Sequence, residues 1–596
     1  MPKSTKIDFE QKLNSISFED DHVKYVQAAY EVANDYIETL SPDVVENRAF
    51  YNGFDPDLDK RKKDPEVERS AEYVPEARPA IETRESAILD KGQEDSLLVR
   101  LKLKDEFVED EELVERGIAK EEKLNEQLRK SGFFFETMMT WIHAAELQPL
   151  SMLKVVREEI YDWVPEKKSF IVRNMESLLK MFIRADEPKL AKTVYQWTLV
   201  EERPGVAWKD FDEFLFDKTM SKLDDCRYLI DRMYMTWNEI VEAGKVNDWD
   251  KKEIELLKES GTGDSVKERI PEQVDDIIDY DAKKNMKEGK YLITENWVKT
   301  KDDDGAEIYW VVTMGNNKYP LSDKPSDLKG LKHPFVKRVA WTKLGSLEGQ
   351  SSIERVKPLQ KLYSDANNAI LDAASYGLLP PFWVESGVTF REKPKWYPLA
   401  FNRVDNVEGI KQVEVNVGDI NVLLLVVEFY AAKIKQLLNA PDISQGIGDI
   451  GKEEKATKTR LRFQGSQRRL RPLFEGVKTD IIEVATKFIK INIIDDPDWI
   501  EILEKFELDV PAFSGVSTPE EERFNALTVY ESAEKSPLYA SPVGMLKLKK
   551  LFEDYLNKSR VDDIDSRLIT EDELQTVIQT QLLTQTEEVE NESTSA

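Results

Sequence analysis

The 596-residue chain has one cysteine, Cys226, and three histidines, His22, His143 and His333, far apart in sequence. One cysteine excludes an intramolecular disulfide and fits a reducing compartment, and its expected place is a small core position. Scattered histidines without cysteine partners leave no zinc-site spacing, so no metal and no cofactor is expected. No G-x-S-x-G nucleophile elbow is present either. The most apolar run, Val422 to Val427, ends at Glu428, far short of the roughly 20 residues a membrane helix needs. The first residues, MPKSTKIDFEQ, hold no apolar signal core. A soluble chain with no membrane partner is therefore expected. Positive charge is in deficit: 85 Lys and Arg stand against 115 Asp and Glu, a formal net charge of −30. Such a surface repels phosphates and excludes tight, whole-surface binding to nucleic acid. A weak, sliding contact remains compatible with it.

What the chain does have is helix-forming sequence, interrupted once by a β-rich stretch. HVKYVQAAYEVANDYIETL is amphipathic, and YVPEARPAIETRESAILD reads as an extended stretch entering a helix. SLLVRLKLK alternates briefly, and EDEELVERGIAKEEKLNEQLRK reads as a solvated helix with i,i+4 ion pairs. Residues 131–200 are expected to be long helices, among them FFFETMMTWIHAAELQ and SFIVRNMESLLKMFIRA. Then KYLITENWVKT and AEIYWVVTMG form two β runs joined by KDDDGAE. Asn316-Asn317 turns the chain again before KYPL, and LKHPFVKRVAW is a further strand. These suggest a small β module of its own, in which Trp297, Tyr309 and Trp310 pack the core.

SSIERVKPLQKLYSDANNAILDAASYG is a marked helix in which Pro358 predicts a kink or a late start. PPFWVESGV stops it, VEVNV alternates as a strand, and Asp419 is placed to cap the helix INVLLLVVEFYAAKIKQLLN. A long basic helix, beginning EEKATKTRLRFQGSQRRLRP, follows the loop after it, with a bend expected at Pro472. Thr518-Pro519-Glu520-Glu521 is a capping box that opens a helical C-terminal region, and the acidic tail TQTEEVENESTSA reads as disordered.

The loop between those last two helices, NAPDISQGIGDIGKEEKATKT, contains G-I-G-D-I-G and the start of a phosphate-loop pattern. A phosphate loop needs Ser or Thr after its lysine, to hold magnesium. Here Glu453 and Glu454 follow Lys452, putting negative charge where a triphosphate needs positive potential. Both nucleotide fingerprints also require a strand before the loop, whereas QLLNAPDIS reads as a helix end. A glycine-bearing excursion between two long helices is the better reading.

The order of these parts resembles the portal (head–tail connector) proteins of tailed double-stranded DNA bacteriophages. The resemblance rests on YVPEARPAIETRESAI, on GVAWKDFDEFLFDKTMSKLDDCRYLIDRMYMTWNEI and on the helix VDDIIDYDAKKNM before the β module. It rests most on Glu295-Asn296-Trp297, on His333-Pro334-Phe335 and on GQSSIERVKPLQKLYSDANNAILD. It implies an α+β, predominantly α subunit. An N-terminal arm and wing would span 1–271, stem helices 272–290 and 349–377, and between them a clip, 291–348, including Glu295, Trp297, Trp310, His333, Pro334 and Phe335. Wing strands and a helix (378–438) would lead into a tunnel loop at 439–452, with Asn439, Asp442, Ser444, Gln445, Gly446, Gly448, Asp449 and Gly451. A long basic helix and wing (453–517) and a helical crown with the tail (518–596) would complete it.

The resemblance further implies a homo-oligomeric ring, usually a dodecamer, at one capsid vertex of the virion, assembled in the host cytoplasm. Double-stranded DNA would pass through its channel during packaging and ejection. Partners would be the terminase large subunit, then neck or tail adaptors, with major capsid and scaffolding proteins around the ring. No enzymatic activity is implied. Lys452, Lys455, Lys458, Arg460 and Arg462 crowd the start of the basic helix, and 455, 458 and 462 share one face. They would contact DNA or make ion pairs between subunits. Two other readings stay open, an ATP-driven motor and a helical capsid or tail protein that never touches DNA.

Overall fold

The computed structural model describes residues 13–63, 70–93, 97–107, 111–169, 191–261, 289–301, 305–328, 330–378, 382–384, 410–412, 420–440 and 456–513, with Glu10, Glu408, Tyr530, Ala533 and Phe552. The helices are α1 (His22–Tyr51), α2 (Pro56–Lys63), α3 (Ala77–Gln93), α4 (Glu111–Lys130), α5 (Met138–Leu147), α6 (Trp237–Val246), α7 (Lys251–Ser260), α8 (Ser352–Leu378), α9 (Ile420–Leu437), α10 (Ala456–Asp495) and α11 (Trp499–Lys505). The strands are β1 (Arg100–Leu103), β2 (Ser151–Ser169), β3 (Ala191–Lys209), β4 (Phe214–Phe216), β5 (Tyr228–Met235), β6 (Tyr291–Lys301), β7 (Glu307–Gly315), β8 (Tyr319–Pro325), β9 (Phe335–Arg338), β10 (Phe382–Val384), β11 (Ile410–Gln412) and β12 (Phe506–Asp509). Helices and mostly antiparallel strands occur together, as an α+β class requires.

The central feature is an antiparallel five-stranded sheet, β4-β5-β6-β7-β8. Its last hairpin turns at Asn316 and Asn317, both left-handed with φ near +50°. That conformation matches the twist of the flanking strands, and asparagine tolerates it better than a branched residue would. Both sheet faces are buried. Leu292 joins the core built with Val26, Ala29, Ala33 and Ile37 of α1, whereas Ile293 packs with Ile240 of α6 and Leu257 of α7. Neighbouring side chains on a strand point to opposite faces, so one strand serves two cores.

The sheet corrects the expected β module of 291–348. β6 pairs along its length with β5, from Tyr228↔Val298 to Met235↔Tyr291, and β5 pairs with β4. Residues 291–325 are thus part of a sheet begun near residue 214. The strand expected in LKHPFVKRVAW leaves that sheet altogether, because β9 pairs with β2 in the order β3-β2-β9.

A second correction concerns residues 131–200. Helix α5 falls where expected, but β2 and β3 form a hairpin of two 19-residue strands, from Met152↔Lys209 to Ser169↔Ala191. Val155, Val156, Ile160, Tyr161, Trp163 and Val164 are β-branched or aromatic residues suited to a pleated surface. Among the described residues β9 pairs only with Ser151–Lys154, so Pro165 is not asked to donate to a second ladder there. The helix expected in SFIVRNMESLLKMFIRA lies outside the described residues, as do the first stem segment apart from its last two residues, VEVNV, Asp419 and the Thr518 capping box.

The chain divides into two compact units, Met1–Lys91 with Leu97–Val510, and Gly92–Ser96 with Pro511–Ala596. In the second, the rings of Tyr530 and Phe552 stand 5.0 Å apart. The remaining features belong to the first.

Candidate functional site

The helical hairpin α8–α9 and the chain that leaves it form the candidate site. Helix α8 is anchored by the residues of the G-Q-S-S-I-E motif. Ser351 accepts from the amide of Glu354 at 3.1 Å, an N-cap bond that satisfies one of the helix's orphan donors. Gly349 donates its amide to the Pro149 carbonyl at 2.8 Å. A Cβ at 349 would come within 2.3 Å of the Trp341 carbonyl, so the backbone approach demands glycine. The Ser352 hydroxyl accepts from Trp341 Nε1 at 2.9 Å and donates to buried Glu146, which pairs with Arg84 at 2.9 Å. Arg84 and Arg355 both lie over the Trp341 ring, at 4.4 and 4.0 Å.

The polar ladder of α8 explains the extended stretch before α3. Gln360 Oε1 accepts from the Ala77 amide at 2.8 Å, and its amide group donates to the Val74 carbonyl. Asn368 accepts from the Glu72 amide at 2.8 Å and donates to the Glu72 carbonyl at 2.9 Å. Asp372 accepts from the Ser70 amide at 2.7 Å. Positions 360, 368 and 372 lie on one face, because four residues are about one turn. Backbone groups of Ser70, Glu72, Val74 and Ala77, outside any sheet, are thus met by side chains of α8. Asn368 is only 4% exposed, whereas Asn367 donates to the Tyr363 carbonyl within its own helix.

Helix α9 returns antiparallel to α8. Val356, Leu359 and Tyr363 near the start of α8 share a cluster with Val427, Tyr430, Ile434 and Leu438 near the end of α9. The helix then stops in a defined way. Asn439 is left-handed at φ +56°. Its amide donates to the Gln436 carbonyl at 3.3 Å, and the Ala440 amide to the Lys435 carbonyl at 2.9 Å. These two bonds form a Schellman stop, with asparagine in the usual glycine place. The expected loop therefore begins at the residue that ends the helix.

Asp442, Ser444, Gln445, Gly446, Gly448, Asp449, Gly451, Lys452 and Lys455 lie outside the described residues. Lys458, Arg460 and Arg462 fall on the first turns of α10, whose side chains are described from Leu470 onward. That helix docks through a stripe of Val477, Ile481, Val484, Phe488 and Ile489. Polar bonds fix its register. Arg338 Nη1 meets Asp480 Oδ2 at 2.6 Å, Lys487 Nζ donates to the His333 carbonyl at 3.0 Å, and Gln127 and Asn492 exchange two amide bonds of 2.9 and 2.7 Å. Burial pushes the Asp480 carboxyl up, against the pull of Arg338.

The residues expected in the clip are dispersed through the core between sheets. Glu295 on β6 and fully buried Asp231 on β5 both hold Lys154 of β2, and Asp231 also meets Lys209 of β3 at 2.9 Å. Burial works against the Lys154 ammonium, yet the two carboxylates hold its pKa above the usual lysine range. Trp297 packs edge-on against Phe335 at 6.0 Å, and the Pro334 carbonyl accepts from Val155 at 2.8 Å. His333 is buried against Asp224, while half-buried Trp310 meets His22 of α1 and donates to Asp323. Arg84, Glu146 and Trp341 were missed in sequence because nothing local marks a contact across some 60 to 260 positions.

Among the described residues, no group of His, Cys, Asp and Glu is placed to hold a metal ion, and no helix is long and apolar enough to cross a membrane. A family model described as phage SU10 portal protein matches residues 23–376, from the first turn of α1 to the last turn of α8. Among curated proteins, none matches the chain.

Proposed function

The chain belongs to the phage SU10 portal protein family, and from that premise we propose that its copies close into a ring around a channel for double-stranded DNA. The ring would sit at one capsid vertex of the virion, with a dodecamer as the usual count. DNA would pass through it during packaging and ejection. The role is that of a conduit and docking platform, with no reaction of its own. The terminase large subunit would bind first and neck or tail adaptors would replace it. Major capsid and scaffolding proteins would surround it. The family match carries this reading. It is supported by the order of parts beyond the match: a returning helix, a Schellman stop at Asn439, a glycine-bearing sequence and a 40-residue helix.

The placement of the parts changes with the sheet. We read residues 291–325 with the wing, a reading supported by the sheet that β6, β7 and β8 share with β4 and β5. The antiparallel pair α8 and α9 is the better stem, with α9 leading directly into the tunnel loop at 439–452. The motor-docking end is then sought in the chain linking α8 to α9, whose described part is the antiparallel pairing of β10 with β11. An acidic lumen would keep DNA centred, and the cations at the start of α10 would supply sparse contact.

Negative-stain microscopy of the purified chain tests the reading. The expected image is a ring with an open axial hole wide enough for a duplex. A compact monomer, or a closed assembly with no axial hole, would overturn it. ATP hydrolysis by the purified chain would instead support the motor reading.

A further inference from the structure

Helix α9 is apolar on two opposite sides. Val427, Tyr430, Ile434 and Leu438 face the cluster shared with α8. Val422, Leu425 and Phe429, spaced i, i+3, i+7, lie on the reverse side and stand 54%, 64% and 56% exposed. Leu424, 46% exposed, lies off this stripe, beyond Asn421 and Glu428. Between Ile420 and Ala432 the only charged residue is Glu428. A helix that is hydrophobic around its circumference is ordinarily covered around its circumference.

We propose that the Val422–Leu425–Phe429 stripe is covered by a second copy of this chain. The inference rests on the ring reading and adds which helix face the copies share. Two considerations favour a copy over other occupants. The three side chains expose on the order of 300 Å² on one helix face, within the range of the largest patch a monomer ordinarily shows. They would supply about two-fifths of the roughly 800 Å² that each partner gives to a specific interface. In addition, a ring contact is heterologous, so each chain needs a second, different surface to receive the stripe. Nucleic acid is a poor occupant, since the stripe offers no cation.

Cysteine labelling reads the face directly. Cys226 is fully buried and burial pushes its thiol up to about 12, so the parent chain gives a low background with maleimide. In Leu425→Cys, the label should react at least ten-fold more slowly in the assembled fraction than in the monomeric fraction from the same column. A double variant, Leu425→Asp with Phe429→Asp, should elute as a monomer with its melting temperature kept within a few degrees, because both sites are exposed in the subunit. Equal labelling rates in the two fractions would overturn the proposal, as would a double variant that assembles like the parent. Protection already present in the monomer would assign the cover to the chain itself and overturn it as well. If the parent forms open rings while the Leu425→Cys variant labels freely in them, this inference alone falls; if the parent never assembles, the ring reading falls with it.

Discussion

His333 shows how a residue quoted for one reason acquires another. Its side chain is fully buried, and its Nε2 lies 2.9 Å from Asp224, which also meets Lys332 at 3.1 Å. Burial pushes the imidazole pKa down, against the hydrogen bond to Asp224, with Lys487 adding to the downward shift. The Asp224 carboxyl is held well below its usual range, first by His333 and then by Lys332. An imidazole with a depressed folded pKa binds fewer protons folded than unfolded, so its contribution to stability falls as pH drops below about 6.5. Asp224 has the same sign lower down. Its contribution is complete above the unfolded carboxylate value near 4 and is lost as pH falls toward the folded one. Replacing His333 with Gln keeps an N–H donor without a titration. Urea midpoints at pH 7.5 and 5 should therefore diverge less in His333→Gln than in the parent. Parallel behaviour of the two proteins would mean that His333 does not titrate across folding. None of this was visible in the H-P-F string, because burial is a property of what packs around it.

Elements were legible where their pattern was local. The β6–β7–β8 meander follows from alternation and an Asn-Asn turn, and α8 and α9 from apolar spacing and a stop residue. The β2–β3 hairpin was not legible. Glu158, Glu159, Asp162 and Glu166 interrupt its apolar residues, and pairing with a strand some 40 residues away supplies the stabilisation. The charged helix α4 was expected to pair its charges along itself. Lys130 does meet Glu126, but Lys120 reaches Asp496 and Arg116 reaches Glu501 on the neighbouring segment. Its buried face holds α10 through Gln127 and Asn492. Replacing either amide alone with leucine leaves the other buried and unpaired, and should cost about 1–3 kcal/mol in urea unfolding. The double leucine variant should recover much of that loss. Strictly additive single losses would show that the two amides do not depend on one another.

At the scale of the whole molecule, a net charge of −30 and a cationic cluster at Lys452–Arg462 have to serve one assembly. Reversing Lys455 and Lys458 to glutamate is expected to show in one of two assays. If the pair bridges subunits, the assembled fraction falls at physiological salt. If it meets phosphates, rings persist but packaging slows, and the salt dependence of DNA contact weakens by roughly two counterions. A variant that assembles and packages like the parent removes both roles. In the proposed ring, symmetry would repeat either effect at every subunit, so that even a weak single contact would become measurable.

The chain by itself determined the helices α1, α4, α5, α8 and α9 and the strands of its β-rich interval. Each depends on residues close together in sequence, whose spacing selects a backbone conformation directly. Tertiary structure alone decided that the β interval continues a sheet begun near Phe214, that residues 70–77 are held by Gln360, Asn368 and Asp372, and that α9 is left with an uncovered apolar side. Those outcomes come from partners tens to hundreds of positions away, and apolar spacing marks a face for burial without naming what will bury it.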